Sequence, residues 1–99
     1  MSFKIKIEQD AHSDIQHAID WYNQQQPGLG RKFHAQVKTS FSKLRTNPFF
    51  QIRYENIHCL PLKKFPFMVH FTIDEKGREV TVLAIFHTSL NPEGWKKRK

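Results

Sequence analysis

One histidine and three cationic residues have the types that metal-independent RNA cleavage needs. Such cleavage uses a base, an acid for the leaving 5′-oxygen, and cations that stabilise the charge on the phosphorane. Histidine changes its charge near neutrality, and His87 ends an apolar run just before a turn. Lys63, Lys64 and Arg53 can supply the positive charge. The competing interpretation is structural: a strand-end histidine that bonds to the backbone of the turn.

Other catalytic and ligand-binding chemistry has little support in the sequence. The single cysteine, Cys59, cannot close an intramolecular disulfide or form a thiolate zinc site, and we expect it to be buried and unreactive. None of the six histidines form the i, i+4 pair of a helical zinc site. The segment Gly28-Leu29-Gly30 is better explained as a turn than as a phosphate loop. We therefore expect neither a metal nor a cofactor.

The positive charge of the chain is concentrated in its middle. Sixteen Lys and Arg residues exceed nine Asp and Glu residues, which gives a net charge of +7. Residues 21–73 contain eight cationic residues and one acidic residue, a net of +7. Arg31, Lys38 and Arg45 recur every seven residues and therefore share one face of a helix. This pattern predicts either a solvated face or a contact surface for RNA or an acidic partner.

The apolar pattern predicts one α+β domain over residues 1–99. Phe3, Ile5 and Ile7 alternate with charged residues, as in a strand with one buried face. Two amphipathic helices follow. The first is capped by Asp10 or Ser13 and ends at Pro27-Gly28, and the second ends at Asn47-Pro48.

The second half of the chain has the pattern of an antiparallel meander. Its strand-like segments are 51–55, 57–63, 67–74 and 79–87. Pro61 predicts an edge position or a bulge in the second of these segments. A short last helix can begin at Pro92, and Trp95 either covers the core or stacks on a base. The predicted fold is β-α-α-β-β-β-β, with a helical hairpin packed on a curved antiparallel sheet.

The sequence contains no sign of export or of a membrane span. The N-terminus has no apolar region after its first charges, and no run approaches the ~18 apolar residues that a spanning helix needs. The lone cysteine suits a reducing compartment. We therefore expect a cytoplasmic protein that does not bind membranes.

The sequence resembles the RelE/ParE superfamily of bacterial toxin-antitoxin toxins, in particular its ParE-like plasmid-stabilisation branch. The similarity covers nearly the whole chain. Its residues are Asp14-Ile15, Ala18-Ile19-Asp20-Trp21-Tyr22, Gly28-Leu29-Gly30 with Phe33, Asn47-Pro48, Leu60-Pro61-Leu62-Lys63-Lys64-Phe65-Pro66-Phe67, Val82-Leu83-Ala84-Ile85-Phe86-His87, Asn91-Pro92 and Trp95.

The resemblance implies a small basic toxin that inhibits growth and is neutralised by an acidic antitoxin wrapped around it, with larger assemblies possible. RelE-like members cleave mRNA in the ribosome, whereas ParE-like members poison DNA gyrase. Lys63 or Lys64 and His87 match the ribonuclease positions, with Arg53 a looser match. This chain has Leu90 where an arginine is common, and no tyrosine in its last 25 residues. The alternative is a non-catalytic, degenerate toxin that binds its antitoxin or RNA.

Overall fold

The elements of the chain follow the predicted order. The computed structural model describes residues 2–49, 53–54 and 56–88. The elements are β1 (Lys4–Ile7), α1 (Gln9–Gln25), α2 (Leu29–Thr46), β2 (Arg53–Tyr54), β3 (Ile57–Pro61), β4 (Phe67–Asp74) and β5 (Glu79–His87). The α+β class is confirmed. The predicted last helix through Trp95 lies outside the described residues.

Helix α1 buries the predicted apolar stripe but begins earlier than its capping residues suggested. Its buried residues are Ala11, Ile15, Ala18 and Tyr22. The N-cap is Glu8, so the prediction of a cap at Asp10 or Ser13 was wrong. Strand β1 ends at Ile7, and the extended backbone of Glu8 turns the chain directly into the helix. Asp10 instead lies in the first turn, where a negative charge favours the helix dipole.

Glycines make the connection between the two helices short. Gly28 has φ +90°, a left-handed conformation that suits glycine, and α2 begins at the next residue. Gly30 already lies in α2, where a Cβ would come within 2.5 Å of the carbonyl oxygen of Ile19. The amide of Gly30 donates to Oδ1 of Asn23 at 2.9 Å. The two helices therefore form the expected hairpin, in close backbone contact.

The five strands form one sheet in the order β1-β5-β4-β3-β2. The last four strands are antiparallel neighbours, as predicted, whereas β1 runs parallel to β5, so the sheet is mixed. Pro61 is the last residue of β3 and lies opposite Met68 of β4. Among the described residues, β2 pairs only with Ile57 and His58, so Pro61 lies where β3 has become an edge.

The core lies between the helices and one face of the sheet. Phe33 and Leu44 of α2 are fully buried there with Phe71 and Val82 of the sheet. The centre of the opposite face is also buried, including Cys59 and His70. No helix within the described part of the chain is long and apolar enough to cross a membrane.

Candidate functional site

His87 is exposed at the end of β5, and a β-bulge determines which side of the sheet it faces. Val82 lies opposite Phe71, but Ala84 lies opposite His70, so Leu83 is an extra residue in β5. If the strand alternated regularly through Leu83, Ala84 would lie on the helix side and His87 on the other side. Because of the bulge, His87 instead lies beside Phe67, with their ring centroids 5.2 Å apart.

Asp14 of α1 holds the same end of β5 in place. Strand β1 pairs with β5 only as far as Val82. Beyond that point, the carboxylate of Asp14 accepts a hydrogen bond from the backbone N–H of Ile85 at 3.0 Å. Ile85 is buried, so its amide needs an acceptor within the protein. Asp14 therefore positions the strand two residues before His87.

Lys63 and Lys64 lie in the loop that joins β3 to β4. The segment predicted as a strand to residue 63 ends at Pro61, so the prediction that a lysine lies on the strand was wrong. The amide of Leu62 donates to the carbonyl of Phe67 at 2.9 Å and closes the loop. Lys64 has φ +69°, which turns the chain there. Both lysines are exposed.

An aromatic cluster anchors this loop to the helices. Phe65 packs edge-on against Tyr22 of α1 and Phe33 of α2, with ring centroids 5.0 and 5.3 Å apart. Phe67 packs against the same two rings. Burial raises the pKa of the Tyr22 hydroxyl. Because Phe65 points into this cluster, the neighbouring lysines are held at the surface.

The structure brings His87, Lys63 and Lys64 to one end of the sheet, which we call the His87 end. The amide of Thr88 donates to the carbonyl of Pro66 at 2.8 Å and ties β5 to the loop. Phe67, the residue after the loop, pairs directly with His87. Two cations and an imidazole on one exposed surface can bind a phosphate, and the imidazole can transfer a proton.

Arg53 is not brought to the His87 end. It lies opposite His58, which in turn lies opposite Phe71. Arg53 is therefore three strands away from β5, and along the strand direction it is displaced by four residues from the Phe67–His87 pair. These two offsets place the Cα of Arg53 about 20 Å from that of His87. The structure does not describe the Arg53 side chain. Trp95 and Leu90 lie outside the described residues.

The predicted contact residues Arg31, Lys38 and Arg45 are all exposed along α2. Arg31 lies near the His87 end, because Phe33, two residues later, packs against the loop. Arg45 lies at the other end, where its carbonyl accepts from the amide of Phe3 at 2.8 Å. The row therefore runs along the whole helix and does not converge on His87.

A second histidine, His70, was not singled out by the sequence, and its environment differs from that of His87. It is fully buried, and its Nδ1 lies 3.4 Å from Sγ of Cys59. Burial lowers the pKa of His70 to about 4 and raises the pKa of the Cys59 thiol to about 11. Both groups are therefore neutral near pH 7. This confirms that Cys59 is buried and indicates an unreactive thiol.

A comparison with known protein families finds a match that spans most of the chain. The family model of the ParE toxin of the type II toxin-antitoxin system parDE matches residues 5–92. A search of curated proteins found no match.

Comparison with solved structures finds the same fold in chains of three toxin-antitoxin systems. A chain of the chromosomal ParDE system of P. aeruginosa matches with a TM-score of 0.75 and 20% identity, over 88% of this chain and 97% of the other. A chain of the intact E. coli RelBE complex matches with a TM-score of 0.66 and 11% identity, over 90% and 99%. A chain of the Mycobacterium tuberculosis RelBE2 complex matches with a TM-score of 0.63 and 16% identity, over 88% and 99%.

Proposed function

Because this chain belongs to the ParE toxin family of type II toxin-antitoxin systems, we propose that it stops growth by poisoning DNA gyrase and that an antitoxin neutralises it. The observation that carries the proposal is the match of the ParE family model to residues 5–92. ParE-like members act on gyrase, so the proposed function requires a surface of this chain that binds gyrase. Plasmid stabilisation would follow from a pair formed by this toxin and its antitoxin.

An acidic antitoxin is the expected partner. The charge of +7 favours an acidic protein, and the structures with this fold include toxin-antitoxin complexes. Trp21 offers an anchor for such a partner: its side chain is 55% exposed and packs edge-on against Tyr22. Exposed tryptophans are rare on free surfaces and frequent at the centres of protein interfaces.

The test for gyrase uses purified components. Relaxed circular plasmid, gyrase and ATP are incubated with increasing amounts of the chain. We expect supercoiling to stop and DNA cleaved by gyrase to accumulate, because a poison traps the cleaved intermediate. Addition of the purified antitoxin should restore supercoiling. Full supercoiling at a molar excess of folded chain would contradict the proposal.

The second candidate function is metal-independent mRNA cleavage. The convergence of His87, Lys63 and Lys64 supports it: the imidazole would move the proton, and the ammonium groups would stabilise charge on the phosphate. Two features weigh against it. Leu90 replaces a common phosphate-binding arginine, and the last 25 residues contain no tyrosine.

Cleavage is tested by translating a reporter mRNA in the presence of the chain and mapping the cuts. If cleavage occurs, His87→Ala and the double variant Lys63→Ala/Lys64→Ala should each lower its rate about 100-fold or more. Lys4→Ala/Lys6→Ala is the matched control, since these exposed lysines lie on β1. Equal rates for all variants would remove the His87 end from the mechanism. Binding of antitoxin without either activity would favour the non-catalytic alternative.

A further inference from the structure

The surface of α2 that faces away from the core has an unusual composition. It carries all five cationic residues of the helix, and each of them is exposed: Arg31, Lys32, Lys38, Lys43 and Arg45. The helix contains no acidic residue. Helix α1 has the opposite composition, with three aspartates and no lysine or arginine. We call the exposed surface of α2 the cationic face.

The spacing of these cations suits a repeating anion. Arg31, Lys38 and Arg45 are seven residues apart, which places successive members about 10.5 Å apart on nearly the same side of the helix. The row is about 21 Å long. The major groove of duplex DNA is about 12 Å wide, so neighbouring cations can reach phosphates on its two edges.

The cationic face lacks the side chains that other partners would use. Binding of single strands depends on aromatic rings that stack with bases, and protein interfaces depend on aromatic or apolar anchors. No exposed Phe, Tyr or Trp lies on α2. Among the described residues, the exposed large hydrophobic side chains are Trp21 on α1 and Phe49 beyond the end of α2. Cations without such rings are typical of contacts to a duplex backbone.

Two neutral hydrogen-bond donors, Ser42 and Asn47, continue the cationic face at its C-terminal end. An open depression of about 520 Å³ there is lined by Thr39, Ser42, Lys43, Thr46 and Asn47. The Oδ1 atom of Asn47 accepts from the amide of Phe49 at 3.1 Å, so its NH₂ group is the part of the side chain that can donate outward. Serine hydroxyls and asparagine amides are common donors to phosphate oxygens.

From the charge, spacing and missing aromatic rings, we propose that the cationic face of α2 binds the phosphate backbone of duplex DNA without regard to base sequence. The three aspartates of α1 repel phosphate, so the duplex is held against α2 alone. Of Arg31, Lys38 and Arg45, only Arg31 lies near the His87 end, and the proposal is independent of the proposed action on gyrase. Its affinity decreases steeply with salt, because each phosphate contact releases a counterion.

The test measures the anisotropy of a labelled 20-base-pair duplex of arbitrary sequence, titrated with the chain between 50 and 200 mM salt. The variant Arg31→Gln/Lys38→Gln/Arg45→Gln should bind at least about tenfold more weakly and should lower the salt slope by about 2 to 3. The control Lys4→Gln/Lys6→Gln/Lys76→Gln removes the same charge from exposed positions elsewhere and should change the affinity less than about threefold.

Three outcomes would overturn the proposal. The first is an equal loss of affinity in both triple variants. The second is that the single strand binds as tightly as the duplex. The third is that polyglutamate displaces the duplex when its concentration of negative charges equals that of the DNA. If the α2 triple variant fails to fold, Lys38→Glu is the second variant. We expect it alone to weaken binding at least about fivefold, and unchanged affinity would also overturn the proposal.

Discussion

The two halves of β5 are held in different ways, and the difference separates the core from the candidate site. From Glu79 to Val82, β5 lies between β1 and β4. After the extra residue Leu83, β4 still flanks it on one side, but on the other side the carboxylate of Asp14 in α1 accepts a hydrogen bond from the amide of Ile85. Both halves contain buried residues, but only the second half ends at an exposed histidine. This support extends to Ile85, and the strand then ends with His87 exposed at the surface.

The largest effect on stability is expected next to the first half of β5. Phe71 is fully buried and lies opposite Val82. Phe71→Ala should lower the free energy of unfolding by about 3–5 kcal/mol, because it removes a buried ring and leaves a cavity. His87→Ala, in the exposed second half, should change it by less than about 0.5 kcal/mol. Urea denaturation measures both, and similar losses would show that the two halves are not distinct.

An intermediate effect should come from pH, through His70 at the junction of the halves. Its pKa is about 4 when folded and about 6.5 when unfolded, so below pH 6.5 the unfolded chain binds a proton that the folded chain does not. The free energy of unfolding should therefore decrease by about 3 kcal/mol between pH 6.5 and 4.

The variant His70→Gln isolates this contribution from that of the carboxyl groups. It lacks the titrating ring, so its unfolding free energy should decrease less over the same pH interval. Denaturation curves at several pH values give the difference between the two proteins. If both pH profiles have the same slope, His70 is not the group responsible.

A smaller effect is expected at Asp14, which supports the second half of β5. Asp14→Ala leaves the buried amide of Ile85 without this acceptor and should cost about 1–3 kcal/mol. Asp14→Asn keeps an acceptor oxygen and should cost less. Asp20→Ala is the control, because its contact with Gln16 is on the surface and should contribute less than about 0.5 kcal/mol. A cost at Asp14 no larger than at Asp20 would contradict this role.

The sequence predicted the elements well because apolar periodicity reports which faces are buried. The stripes of α1 and α2 and the alternation in β4 all lie on the core face. The sequence did not predict the parallel pairing of β1 with β5, because periodicity within a strand contains no information about its neighbour. The bulge at Leu83 was missed for a similar reason: it becomes visible only when two strands are aligned.

The candidate site was predicted in part. His87 and the two lysines come together because Phe67 pairs with His87 at the end of one hairpin. Arg53 does not join them, because its distance from His87 depends on the order of the strands in the sheet. The spacing of residues along the chain does not predict that order. The sequence marked Asp14 only as part of the family resemblance, and its hydrogen-bond partner 71 residues away could be identified only from the fold.

The most direct test of the proposed toxin function is growth after induction of the chain alone in bacterial cells. We predict growth arrest in which the DNA-damage response precedes any cut in cellular transcripts, and recovery when the antitoxin is produced as well. The chain must be present in soluble, folded form throughout. Normal growth at that level would contradict the assignment of toxin activity, and transcript cuts before DNA damage would contradict gyrase as the target.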